Sequence, residues 1–122
     1  MRNVKLSVMV MSGLEDGTIC ECSTEYGDGE YNGNSWCVSI GREEYNDIIL
    51  RNDNFISRAH ARLEYTDQQW WLVDCNSTNG TYSERQQNVL DEERVKPEKP
   101  IRIEIGQMFR VGHTWLIIQK VE

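Results

Sequence analysis

The residues able to do chemistry fall in three short polar clusters: SIGREEYND at 39–47, ISRAHARL at 56–63 and DCNSTNGTY at 74–82. Arg42 carries a planar fork of donors that suits a phosphate. Ser57 offers a hydroxyl that can donate to an anion's oxygen, and Asn79 an amide that donates and accepts at once, enough to clamp an extended backbone. Arg58 adds a second charge beside Ser57, and Thr78 adjoins Asn79. Each also has a plain structural reading. Arg42 alone reads as a solvated arginine paired with Glu43, Glu44 or Asp47. Ser57 reads as a turn cap, Arg58 as a charge pointing to solvent, and Asn79 as a hairpin residue tolerating positive φ before Gly80. Gly41 and Gly80 read as structural, freeing the backbone.

Ser57 and His60 also suggest a nucleophile and its base. Residues three apart on a strand point to opposite faces, so a direct bond between them is disfavoured. Neither an orienting third group nor an oxyanion loop stands out, which leaves a hydrolase as the minor alternative. His113 reads as a turn residue. Cys20, Cys22, Cys37 and Cys75 match no close-paired zinc spacing. Cys20 and Cys22 share a strand face, and either can face Cys37 across a hairpin; reduced strand cysteines are the reading preferred over a disulfide or a metal site.

The elements that must position these clusters are strands. Val4, Leu6, Val8 and Val10 alternate with polar or smaller residues, as do Ala59, Ala61, Leu63 and Tyr65, and again Ile101, Ile103 and Ile105. A period of two buries one face and wets the other. WCVSI, DIIL, QWWLVD and TWLIIQ are further strand candidates, separated by turn signals at Asp16-Gly17, Asn32-Gly33, Asn79-Gly80 and Gly112. Adjacent Trp70 and Trp71 must face opposite sides of one strand, so one of them can mark a second contact surface. Residues 23–35 read as a flexible, glycine-rich loop, and residues 85–93 as at most one helical turn. Many short strands in so short a chain predict an all-β sandwich or barrel.

The chain has 122 residues, which fits a single domain over 1–122. Its longest apolar runs are four residues, as at Val8 to Met11, against the roughly 20 that a membrane helix needs. No signal-peptide core is visible at the N-terminus, so an intracellular setting is expected. Thirteen basic and 20 acidic residues leave a net charge of −7, with no basic run. That argues against nucleic acid and against anionic membranes as partners. It leaves room for a small anion, since one phosphate needs only a few well-placed donors.

Gly41-Arg42 at a strand end, then Ser57-Arg58-Ala59-His60, then Asn79-Gly80 in a later turn, taken in this order, resemble the forkhead-associated (FHA) domain. DIIL before the serine motif, HARLEY after it, WWLVDCNSTNGTY and IEIGQMFRVG add to the likeness, which is close over 36–120. Gln107 stands where the family usually has Asp, which implies a lost turn contact. The resemblance implies an antiparallel β-sandwich of about eleven strands, with residues 4–22 supplying the first of them. It further implies a module that binds phosphothreonine peptides of partner proteins, made by Ser/Thr kinases, with no catalysis and no cofactor. On it, Arg42 and Ser57 would contact the phosphate, Arg58 would add charge, Thr78 would touch the phosphothreonine side, and Asn79 would hold the peptide backbone. Gly41, His60 and Gly80 would support the loops. A module that assembles with proteins without reading phosphate is the alternative on the same fold.

Overall fold

The structure is a computed structural model that describes residues 3–85 and 88–122. Among these, twelve strands form: β1 Lys5–Val10, β2 Ile19–Ser23, β3 Glu30–Asn32, β4 Ser35–Gly41, β5 Ile48–Ile49, β6 Ala61–Thr66, β7 Gln69–Asp74, β8 Thr81–Arg85, β9 Asn88–Val95, β10 Ile101–Ile103, β11 Met108–Val111 and β12 Thr114–Val121. They build two sheets, ordered β2-β1-β12-β11-β8-β9 and β10-β7-β6-β4-β3, with β5 added to β4. All pairings are antiparallel except β4 with β5, where Ile40 meets Ile48.

The alternation in the sequence becomes the inside and outside of this sandwich. Leu6, Val8 and Val10 of β1 face Phe109, Leu116 and Ile118 of the same sheet and Val38, Ile40, Leu63 and Leu72 of the other, all in one buried cluster. Side chains that point inward from two facing sheets fill the gap between them. Trp70 is buried and Trp71 half-exposed on the opposite side of β7.

Four expectations are corrected. Residues 85–93 do not make a helical turn: β8 and β9 pair antiparallel, Thr81 opposite Val95 and Tyr82 opposite Arg94, while residues 86 and 87 lie outside the described residues. Sheet pairing overrides the helix-favouring composition there, anchored by the buried Val95 and by a two-bond ion pair from Arg110 to Glu92 at 3.1 and 2.6 Å. Residues 23–35 are not loop throughout, since they contain β3, and the turn before it makes hydrogen bonds. The Asp28 carboxylate accepts the Ser23 amide, Asp47 accepts the Gly29 amide, and the Trp36 indole donates to the Asp28 carbonyl. Cys20 and Cys22 sit opposite β1 rather than Cys37, whose neighbours are Glu30 and Glu64. All four thiols are free. Gln107 keeps the turn contact: its Oε1 accepts the Glu104 amide at 3.0 Å, and its Nε2 donates to Ser83 Oγ at 2.8 Å.

Phe109 is the largest fully buried side chain. Phe109→Ala should lower the unfolding free energy by about 3–5 kcal/mol in urea denaturation. A loss below about 1 kcal/mol would place this residue outside the core.

Candidate functional site

Strand direction gathers the three clusters. β4 ends at Gly41, β6 begins at Ala61 and β7 ends at Asp74, so residues 41–47, 50–60 and 75–80 all emerge at one end of the sandwich. Backbone groups that leave the ladders there must find partners. The Arg42 amide donates to the Ser57 carbonyl at 3.1 Å, and the Leu50 amide to the Gly41 carbonyl at 2.9 Å. Asn46 Nδ2 donates to the carbonyls of Glu43 and Arg58 at 2.8 and 2.7 Å. Gly41 lies so close to this crossing that an added Cβ would collide with the Arg58 carbonyl. Its need is for close approach rather than for an unusual φ.

The second and third loops are joined by four bonds. Ser57 Oγ accepts the Thr78 amide at 3.1 Å, and Asn79 Nδ2 donates to the Phe55 carbonyl at 2.9 Å. His60 Nε2 meets the Gly80 carbonyl at 2.8 Å, and the Cys75 amide donates to the His60 carbonyl at 2.9 Å. His60 Nδ1 accepts the Ser57 amide at 3.0 Å. An acceptor at Nδ1 requires the proton on Nε2, so this fully buried ring is neutral and donates to Gly80. Gly80 takes φ of +92°, whereas Asn79 does not enter the positive region. Asp74 closes the third loop by accepting Ser77 Oγ at 2.5 Å and Thr81 Oγ1 at 2.7 Å.

What remains unengaged is as informative. Arg42 Nε donates to the Ile56 carbonyl at 3.1 Å, while its two terminal nitrogens have no partner among the described residues. The carboxylates that could have neutralised it are occupied. Glu43 lies 3.9 Å from Arg58, Glu44 lies 3.6 Å from Arg51, and Asp47 Oδ2 accepts the Ser39 amide and hydroxyl. Ser57 Oγ accepts from Thr78 and so keeps its own proton to donate. Thr78 and Asn79 are exposed, and Asn79 Oδ1 stays available as an acceptor.

The family model of the FHA domain matches residues 38–112, a span that includes these three loops. The chain belongs to the FHA domain family. FhaB of Mycobacterium tuberculosis is 38% identical over 77 residues, covering 63% of this chain and 43% of that protein. FhaB of Mycolicibacterium smegmatis is 36% identical over 77 residues with the same coverage. The chain thus spans less than half the length of these relatives. A solved FHA domain studied for phosphothreonine-dependent interactions superposes with a TM-score of 0.66 at 24% identity, over 98% of this chain and 97% of that one. Mycobacterium tuberculosis EmbR, solved in complex with a low-affinity phosphopeptide, gives 0.64 at 20% identity, over 95% of this chain and 24% of that one. These structures share the all-β sandwich fold.

All eight residues singled out in the sequence lie at this one end of the sandwich. Arg42, Ser57, Thr78 and Asn79 are tied together through the bonds above. Arg58 is the least fixed, an exposed side chain in a long ion pair, although its carbonyl is a hub of the first loop. Sequence reading missed Asn46 and Asp74, whose work is to cap turns; an Asp three residues before a Ser was the available signal. It also missed Phe55, whose carbonyl holds Asn79 and whose ring stacks on His113 at 3.9 Å. His113 is therefore a partnered turn residue, its amide donating to Asp53.

Burial pushes the His60 imidazole below its ordinary pKa, against the opposing pull of the Gly80 carbonyl and of Asp74 and Asp53. The unfolded chain then binds a proton that the folded one refuses. Stability should fall as pH drops below about 6.5, and level off once the folded ring titrates. Urea melts from pH 7.5 down to 5 test this, and His60→Gln should flatten that part of the profile. Stability rising on acidification through this window would contradict the neutral-ring assignment.

Proposed function

We propose that this chain binds phosphothreonine in a partner protein, as a module acting in kinase-dependent signalling or assembly inside the cell. One observation carries the reading: the terminal nitrogens of Arg42 and the hydroxyl proton of Ser57 are unengaged, while the backbone bond from Arg42 to the Ser57 carbonyl, 3.1 Å, holds both at one place. Two such donors side by side suit phosphate oxygens. Arg58 supplies a second charge once it leaves Glu43, Asn79 Oδ1 accepts from the peptide backbone, and Thr78 faces the phosphothreonine side. Gly41, His60 and Gly80 hold the frame. Preference for threonine over serine would come from a niche for the methyl group.

Binding rather than catalysis is supported by the two nitrogens of His60, which both engage backbone groups and leave Ser57 Oγ without a base. No helix among the described residues is long and apolar enough to cross a membrane. A chain with net charge −7 and no basic run favours a protein partner over nucleic acid or an anionic bilayer.

A phosphothreonine carries about −1.5 to −2 charges at neutral pH. Each charge-assisted hydrogen bond contributes roughly 1.5–3 kcal/mol net, offset by about 4 kcal/mol or more of lost rigid-body freedom and peptide ordering. Micromolar affinity, about −8 kcal/mol, is the result. Calorimetric titration with one pool of threonine peptides, phosphorylated and unphosphorylated, tests it. Binding should require the phosphate, and Arg42→Ala should cost about 2–4 kcal/mol, a loss of roughly 30- to 1000-fold. Equal binding of both pools would instead favour assembly without phosphate, and wild-type affinity in Arg42→Ala would remove that residue from the site.

A further inference from the structure

At the opposite end of the sandwich, four neighbouring strands each place one aromatic residue in a single cross-strand row. Tyr31 of β3 lies opposite Trp36 of β4, Trp36 opposite Tyr65 of β6, and Tyr65 opposite Trp70 of β7. Exposure varies along the row: Trp36 and Trp70 are 2% and 5% exposed, Tyr65 is half-buried and Tyr31 is 50% exposed. Trp70 meets Trp36 edge-on at 6.0 Å and Tyr65 at 4.9 Å, which stiffens the buried part. Tyr31 and Tyr65, with the largely buried Trp36 behind them, line a cavity of about 550 Å³ together with Val4, Asn34, Asp67 and Gln68.

The polar side chains there are unengaged. Asn34, Asp67 and Gln68 make no side-chain hydrogen bond or ion pair with the described residues, and no Lys, Arg or His lines the cavity. Several carboxylates elsewhere on the surface are paired, as Glu21 is with Lys5, Glu64 with Arg62 and Glu92 with Arg110. Asp67 and Gln68 hold φ of 53° and 64° in the two-residue turn between β6 and β7, where Asn-Gly would be at ease. The strained pair places a carboxylate and an amide at the mouth of an aromatic wall.

We propose that this cavity binds the methylated ammonium head of a lysine side chain on a partner protein. Aromatic faces attract a cation through their quadrupole, and a methylated ammonium sheds its water more readily than a bare one. Asp67 supplies the opposite charge, in a chain whose net charge of −7 favours cationic partners. A choline phosphate headgroup would bring a phosphate beside the cation, and nothing lining the cavity would neutralise it. Trp36 and Gly41 lie at opposite ends of β4, about 17 Å apart at the rise of an extended strand. The cavity is therefore separate from the FHA loops, and the proposal does not depend on what those loops bind.

The test is an NMR titration of the ¹⁵N-labelled chain with trimethyl-lysine amide, following the indole N–H signals of Trp36 and Trp70. Unmethylated lysine amide, a neutral tert-butyl isostere and phosphocholine serve as controls. Saturable shifts at these indoles are expected, with a dissociation constant of about a millimolar or tighter. Tyr31→Ala and Asp67→Asn should each weaken binding about three- to tenfold. Tyr31 is half in solvent and Asn tolerates the backbone of Asp67, so dispersed spectra should confirm that both variants fold. The proposal is overturned by no saturable shift up to about 10 mM, by any control binding as tightly, or by unchanged affinity in both variants.

Discussion

The imidazole of His60 accepts the Ser57 amide on one nitrogen and gives its proton to the Gly80 carbonyl from the other. Only the neutral ring with its proton on Nε2 can do both, and a fully buried position keeps it neutral. The second and third loops therefore take their separation from the width of one ring. Ser57 then stands where its hydroxyl reaches Thr78, and its carbonyl where the Arg42 amide reaches it. Gly41 is the complement to that ring on the other side, since the first loop passes too close to Arg58 for any side chain. A frame whose amides and carbonyls are already satisfied loses little further freedom when a ligand arrives, and that preorganisation carries directly into affinity.

The same frame leaves a guanidinium without a carboxylate partner in an acidic chain. Three carboxylates sit within five residues of Arg42, yet each is held by something else: Glu43 by Arg58, Glu44 by Arg51, and Asp47 by the Ser39 and Gly29 amides. Arg42 is in turn held by a carbonyl, which orients the guanidinium without cancelling its charge. Net charge sets what approaches from a distance; the assignment of partners within a few ångströms sets what binds.

Strands with a clean period of two were legible because burial acts on each residue separately: Leu6, Val8 and Val10 are all fully buried, as their spacing required. β9 was not, because four of its eight residues are charged and it is a strand only by pairing with the edge of β8. The glycines before β3 read as plain loop, whereas Asp28 and Asp47 accept the Ser23 and Gly29 amides there, and local composition does not reveal such bonds. At the site, Arg42, Ser57, His60 and Asn79 were legible because their types have few uses in that order. Phe55 was not, since what it contributes to Asn79 is a carbonyl, and every residue has one.

The two ends of β4 show how a sandwich keeps two surfaces at a fixed distance. Trp36 and Gly41 belong to one strand hydrogen-bonded to β6 along its length, so the distance between the aromatic row and the arginine loop does not depend on any loop. Sites more than about 10 Å apart with no shared partner respond to substitution additively. The rows between them, Val38 opposite Leu63 and Ile40 opposite Ala61, are buried core residues that neither end uses. Loop substitutions around Arg42 can thus change without disturbing Tyr31 and Asp67, and the reverse holds as well. A partner that engaged both ends at once would gain from their fixed spacing through effective concentration, with no new contact in between.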